Sequence, residues 1–174
     1  MAKAQAASKP SAGQRAKEAS EAKKVIARNK KARHDYFIDD TWEAGLVLSG
    51  TEVKALREGR ASITEGWVEI DRYGEAWLQS VTIPVYASGT WTNHAPTQKR
   101  KLLLHHDELL RLAQKSREKG YTIVPLELYF IRGRAKVEIA LARGKQEWDK
   151  RETLRRKQDD REAQREMSVR RKHG

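Results

Sequence analysis

Residues 120–144 read GYTIVPLELYFIRGRAKVEIALARG. Leu126, Leu128 and Phe130 alternate with Glu127, Tyr129 and Ile131, and Val137, Ile139 and Leu141 repeat the period of two. That period places alternate side chains on one face of a sheet, so it marks half-buried strands. The pattern predicts strands over 121–131 and 135–142, joined as a hairpin across Arg132-Gly133-Arg134.

Upstream of the hairpin, residues 107–119 predict a helix with Leu109, Leu112, Ala113 and Ser116 on one face. Asp107 is its expected N-cap and Gly120 its stop. Residues 67–71 and 75–81 read as strands around a turn at Tyr73-Gly74. A short helix is predicted over 51–58, with Val53 and Leu56 on one face and Gly59 beyond its end. Residues 36–41 and 46–48 read as strand segments around Glu43-Ala44-Gly45, where the glycine marks a bulge or a sharp bend. About six short strands and two helices suggest a mainly β fold: a small antiparallel OB-like barrel with short helices attached.

Charge divides the 174 residues into three parts. Residues 1–34 carry a net +8, residues 35–144 are neutral, and residues 145–174 carry +4. Residues 1–24 hold no Leu, Ile, Val or aromatic side chain, so they are expected to be a disordered basic extension. The domain is expected over 25–144 and a basic tail over 145–174. The tail is helical by propensity, but Trp148, Leu154, Met167 and Val169 are its only large apolar residues and form no stripe. A helix polar all round is expected to form on a partner. A neutral domain with basic ends points to a polyanion, nucleic acid ahead of an anionic membrane surface.

Several chemistries are excluded. Without cysteine there is no disulfide, thiol nucleophile or cysteine zinc site. No run approaches the roughly 20 apolar residues of a membrane span, and no apolar segment follows the first lysines as in a secretory signal, so an intracellular protein is expected. His105 and His106, with His94 nearby, are adjacent and so poorly placed to share a metal ion, and their spacing does not fit the helical two-histidine zinc motif. Asp39, Asp40 and Glu43 read as acids guarding a strand edge rather than as a magnesium site. No catalytic constellation, metal or cofactor is expected.

Candidate binding residues fall in three clusters. Residues 29–36 (NKKARHDY) join cations to a strand: Lys30, Lys31 and Arg33 suit phosphates, and Asn29, His34 and Tyr36 suit bases. Lys99, Arg100 and Lys101 precede a leucine run, where phosphate contact and plain solvation stand equal. Residues 144–151 (GKQEWDKR) place Trp148 among bases, either to stack on RNA or to anchor the tail on the barrel.

Residues 29–36, 43–57 (EAGLVLSGTEVKALR), 96–104 (PTQKRKLLL), 120–129 (GYTIVPLELY) and 144–151 occur in the order seen in the small protein B family, the SsrA-binding proteins of bacteria. The chain closely resembles that family over about residues 25–151. The resemblance implies a non-enzymatic, cytoplasmic adaptor that binds the tRNA-like domain of transfer-messenger RNA and brings it to stalled ribosomes for trans-translation. The partners implied are that RNA and the ribosome's small-subunit RNA at the decoding centre, for a monomeric protein without membrane or small-molecule ligand. The resemblance assigns Asn29, Lys30, Lys31, Arg33, His34, Tyr36 and Glu43 to the RNA-binding region, and Leu103 to the leucine run beside Lys99, Arg100 and Lys101. It assigns Gly144, Lys145, Trp148, Asp149, Lys150 and Arg151 to the ribosome junction, with Arg155, Arg156, Lys157, Arg161 and Arg165 along the mRNA channel. Ala95 and Gln98 stand where the family often has Asp and Arg, and Trp148 where it has Tyr or His. The alternative is a generic OB-fold binder of single-stranded RNA.

Overall fold

The computed structural model describes residues 23–89, 91 and 93–173. The expectation of disorder over 1–24 lies outside these residues up to residue 22, but Lys23 and Lys24 belong to the first strand. The elements are β1 (Lys23–Arg28), α1 (Lys30–Asp35), β2 (Tyr36–Leu46), α2 (Gly50–Arg57), β3 (Trp67–Ile70), β4 (Ala76–Gln79), β5 (Arg100–Leu103), α3 (His106–Ser116), β6 (Tyr121–Ile131), β7 (Arg134–Gly144) and α4 (Glu147–His173). The strands form one antiparallel sheet in the order β1-β6-β7-β2-β5-β4-β3. The sheet curls until β3 lies near β6 without pairing to it, giving an open OB-like barrel. Gly66 sits at this closure. A Cβ there would stand 2.7 Å from Val81 and 2.8 Å from Pro125, closer than side chains tolerate.

The predicted hairpin is β6–β7, and its turn uses positive φ at Arg132 (49°) and Gly133 (74°). Two left-handed residues match the twist of paired strands, and glycine takes the second place without Cβ strain. Inside the barrel, Leu128, Phe130, Val137, Ile139 and Leu141 meet Leu56, Ile63, Leu78, Ile83 and Leu112 in the main core. The period of two breaks at Leu126. A bulge between Pro125 and Glu127 turns this side chain to the other face, where Ala32, Val124, Ala140 and Ala142 make a second cluster. Small alanines on the outer face let α1 approach the sheet closely.

Two bulges accompany that of β6, between Val25 and Ala27 in β1 and between Ile38 and Asp40 in β2. The bulge expected near Gly45 is thus at Asp39. Gly45 is instead where β2, paired with β7, also meets β5 through Leu103. Helix α2 starts at Ser49, whose side chain accepts from the Glu52 amide while Glu52 accepts from the Ser49 amide. For α3, the cap position is His105 rather than Asp107; Glu108 closes the first turn by accepting from the His105 amide at 3.1 Å.

Candidate nucleic-acid interface

Helix α1 carries the basic cluster, and Asn29 holds it in place. Asn29 is buried; its Oδ1 accepts from the Ala32 amide at 2.9 Å. Its Nδ2 donates to the carbonyls of Pro125 (3.0 Å), Ile63 (3.3 Å) and Thr64 (3.4 Å), and its backbone N–H donates to Leu126 O at 2.8 Å. One amide thus ties α1, the β6 bulge and the 63–64 loop together. The base-reading role expected for Asn29 is corrected by this burial: the side chain faces protein carbonyls and shapes the surface that others present.

Lys30, Lys31 and Arg33 are exposed on α1. Lys31 pairs with Glu65 at 2.9 Å, which raises its pKa, and Arg33 lies 3.7 Å from Glu138. Tyr36 is half-buried against the alanine cluster, so it is both packing and rim. It lines a groove of about 370 Å³ with Asn29, Lys31, Asp35, Thr64 and Trp67. Trp67 is 40% exposed at this groove, although its place in a strand pattern reads equally well as a buried position.

Glu43 lies toward the opposite end of β2, about 20 Å along the strand from Tyr36, and Leu103 of β5 stands beside it, paired with Gly45. Leu103 is 56% exposed beside Gly45. Glu43 accepts from the Tyr129 hydroxyl and the Lys136 ammonium. The Lys136 hydrogen bond, then that of Tyr129, holds its carboxyl below the usual range. Burial and Glu43 together push the Tyr129 phenol well above its ordinary value. Glu43, Glu138 and Glu127 lie opposite one another across β2, β7 and β6, a repulsive row. Lys136, Arg33, Lys23 and Arg28 offset it, the last two gripping Glu127.

The Lys99-Arg100-Lys101 triplet does not act as one surface. Arg100 is buried with Glu52, Nε to Oε1 at 2.7 Å, and donates to Val81 O at 2.7 Å and Pro96 O at 2.9 Å. That corrects both readings of Arg100, phosphate contact and solvation. Gln98 donates to the same Glu52 oxygen at 2.9 Å, so the departure at this position serves the buried carboxylate. Burial pushes the Glu52 carboxyl up, yet hydrogen bonds from Ser49, Gln98 and Arg100 outweigh it and hold it below the usual range. Lys99 lies 4.7 Å from the Trp77 ring centroid and Lys101 pairs with Glu75. His94 is also spent internally, against Thr51 (3.0 Å) and Ile83 O (2.9 Å). Among the described residues, no group of three or more acids and histidines is placed to hold a metal ion.

The tail begins where β7 ends, with Gly144 opposite Tyr36. The Lys145 amide donates to Asp35 O at 2.8 Å, and its ammonium lies 5.1 Å from the Phe37 ring and 3.3 Å from Thr153. Asp149 is half-buried and Arg151 exposed. Arg155, Arg156, Lys157, Arg161 and Arg165 are all exposed on α4, as are Leu154 and Met167. Trp148 lies in the first turn of α4, but its side chain is outside the described residues, and so are the two readings of it. The α1 cluster is therefore adjacent to the tail junction, while Glu43 and Leu103 form a second surface. Among the described residues, no helix is long and apolar enough to cross a membrane.

These features define a class: a small OB-like domain with a cation-bearing corner and a charged helical tail. The family model described as "SmpB protein" matches residues 26–169. The chain is 66% identical over 147 residues to the SsrA-binding protein of Streptomyces coelicolor, covering 84% of this chain and 92% of that relative. It is 66% identical over 148 residues to that of Kineococcus radiotolerans, covering 85% and 94%. A chain solved in "tmRNA-SmpB: a journey to the center of the bacterial ribosome" superposes with a TM-score of 0.60 at 47% identity, covering 75% of this chain and 94% of that one. This chain belongs to the SmpB family of SsrA-binding proteins.

Proposed function

We propose that this protein is an RNA-binding adaptor: it binds the tRNA-like domain of transfer-messenger RNA and delivers it to stalled ribosomes for trans-translation. The observation that carries this reading is family membership across both the sheet domain and the tail, residues 26–169. The barrel supplies a rigid frame. Lys30, Lys31 and Arg33, with His34 and Tyr36 at the rim, meet one part of the folded RNA; Glu43, Lys99, Lys101 and Leu103 meet another. Phosphate contacts supply affinity, and the spacing of the two surfaces selects a folded RNA over a flexible strand. Asn29 and Arg100 act from inside by fixing the segments that carry these groups.

Helix α4 serves the ribosome. Gly144, Lys145, Asp149, Lys150 and Arg151 form its junction, and Arg155, Arg156, Lys157, Arg161 and Arg165 face the RNA of the empty mRNA channel. A helix with cations around its whole circumference suits a channel walled by phosphate on every side. The protein catalyses no reaction itself and works where ribosomes work, in the cytoplasm.

The test is competition binding of the full-length protein to the tRNA-like half of transfer-messenger RNA. Elongator tRNA and an unstructured oligonucleotide are expected to compete at least tenfold more weakly at moderate salt. Equal competition by the oligonucleotide would make the protein a general single-strand binder.

A further inference from the structure

Phe37, Arg143 and Tyr121 form a row outside the surfaces described so far. Arg143 of β7 stands directly opposite Phe37 of β2 and directly opposite Tyr121 of β6. Residues opposite one another in neighbouring strands project to the same face, so the three side chains lie abreast. The next row is Ile38, Ala142 and Thr122, and its Ile38 and Ala142 pack in the cluster on the outer face. The Phe37 row therefore has the inward face, two residues past Leu141, the last core position of β7. Tyr121 packs against the rim of the core, but Phe37 is 42% exposed and belongs to neither core cluster.

The row is held in shape. At the β2 bulge Asp39 meets Arg143, whose Nε lies 3.3 Å from Oδ2 and whose Nη2 lies 3.5 Å from Oδ1. A two-point contact of this kind fixes the plane of a guanidinium. The Tyr121 hydroxyl donates to Asp39 as well, and this hydrogen bond raises the pKa of the phenol. The guanidinium carbon lies 5.7 Å from the Tyr121 ring centroid, and the Lys145 ammonium lies 5.1 Å from that of Phe37. Two aromatic rings flanking a flat cation, with an ammonium beside them, are the parts of a stacking surface for nucleobases. An apolar protein surface would suit the Phe37 ring but would bury the Lys145 charge.

We propose that Phe37, Arg143 and Tyr121 are a platform on which one unpaired base of small-subunit ribosomal RNA stacks. The choice of this RNA rests on the reading of the tail as the ribosome-binding element. Arg143 directly precedes Gly144, so the platform lies at the root of the tail, whereas Glu43 lies toward the other end of β2. This placement depends on the root alone and holds for a tail that folds only on its partner.

The test is binding of the full-length protein to vacant small ribosomal subunits and, separately, to the tRNA-like RNA. Phe37→Leu keeps an apolar side chain but removes the ring. It should weaken subunit binding about tenfold and leave binding to the tRNA-like RNA within about twofold of native. Phe37→Trp supplies a ring again and should bind subunits within about threefold of native. Arg143→Lys keeps the charge but loses the plane, and should weaken subunit binding about threefold. An unchanged thermal midpoint checks that each variant folds. Native-like subunit binding by Phe37→Leu and Arg143→Lys would overturn the proposal, and so would a tryptophan no better than leucine. A loss on the tRNA-like RNA as large as that on subunits would overturn it too. Failure of the native protein itself to bind subunits would sink the reading of the tail, and the platform with it, a result distinct from ring variants that match the native.

Discussion

The sheet domain and α4 use the same kinds of charged residue in opposite ways. In the sheet domain, Arg100 and Glu52 are each only 1% exposed in their side chains, and every polar atom of the pair is spent inside the protein. In α4, the cations from Arg151 to Arg165 lie in water, and, among the described residues, the one ion pair within the helix is Arg156 with Glu152 at 2.6 Å. Charge in the first region specifies how strands and loops meet. Charge in the second, beyond the Lys150–Asp35 contact at its base, makes no ion pair with the sheet domain among the described residues and is available to a partner. Replacing charges in the two regions should therefore give effects of different kinds as well as sizes.

The sharpest contrast is Glu52→Gln against Arg161→Gln. Removing the Glu52 charge strands Arg100 in the core and should cost about 3–5 kcal/mol in denaturant unfolding. Arg161→Gln should change stability by less than about 0.5 kcal/mol and weaken only binding to ribosomes. Next in size, Asn29→Ala leaves three carbonyls without their shared donor and should cost about 1–3 kcal/mol. Its RNA affinity should fall through the disturbed α1, and Lys30→Gln should reduce affinity with no loss of stability. If Asn29→Ala weakens RNA binding while unfolding is unchanged, Asn29 touches RNA directly.

Acid sharpens the comparison further. The carboxyls of Glu52, Glu43 and Glu127 have folded-state pKa values below the ordinary 4.5. Their stabilisation is complete above that ordinary value and is lost as pH falls through the lowered folded values. The thermal midpoint should hold from neutral pH to about 4.5 and then drop, and Glu52→Gln should flatten that drop. The smallest effect belongs to the tail. Ala163→Gly should cost α4 about 1 kcal/mol of helix propensity, visible as lost far-ultraviolet ellipticity, and leave the melting of the sheet domain in place.

Much of this was legible in the sequence, for identifiable reasons. The β6–β7 hairpin and helices α2 and α3 have clean periods and stop signals, and they were found to within a few residues. Strand β1 was missed because KKVIAR lies at the edge of a lysine-rich stretch and is a strand only through its pairing with β6. Helix α1 was missed because six residues with one buried alanine carry no readable stripe. The bulge at Leu126 was not legible either; it shows only in the pairing of β6 with β7, and it sets Leu126 against Ala32 of α1 on the sheet's outer face. Arg100 was misread although a signal existed. It shares the even positions of β5 with buried Leu102, so a period of two would have pointed it inward. Two surfaces separated by the length of β2 could not be read from sequence, since Tyr36 and Glu43 look contiguous there.

The most direct test of the division of labour compares the full-length chain with the 1–144 truncation in two assays, binding to the tRNA-like RNA and tagging on stalled ribosomes. Binding by the truncation should stay within about threefold of full length, because α4 adds little to the sheet domain, whereas tagging should be abolished. Loss of RNA binding together with tagging would show that α4 belongs to the RNA-recognition surface and would contradict the account.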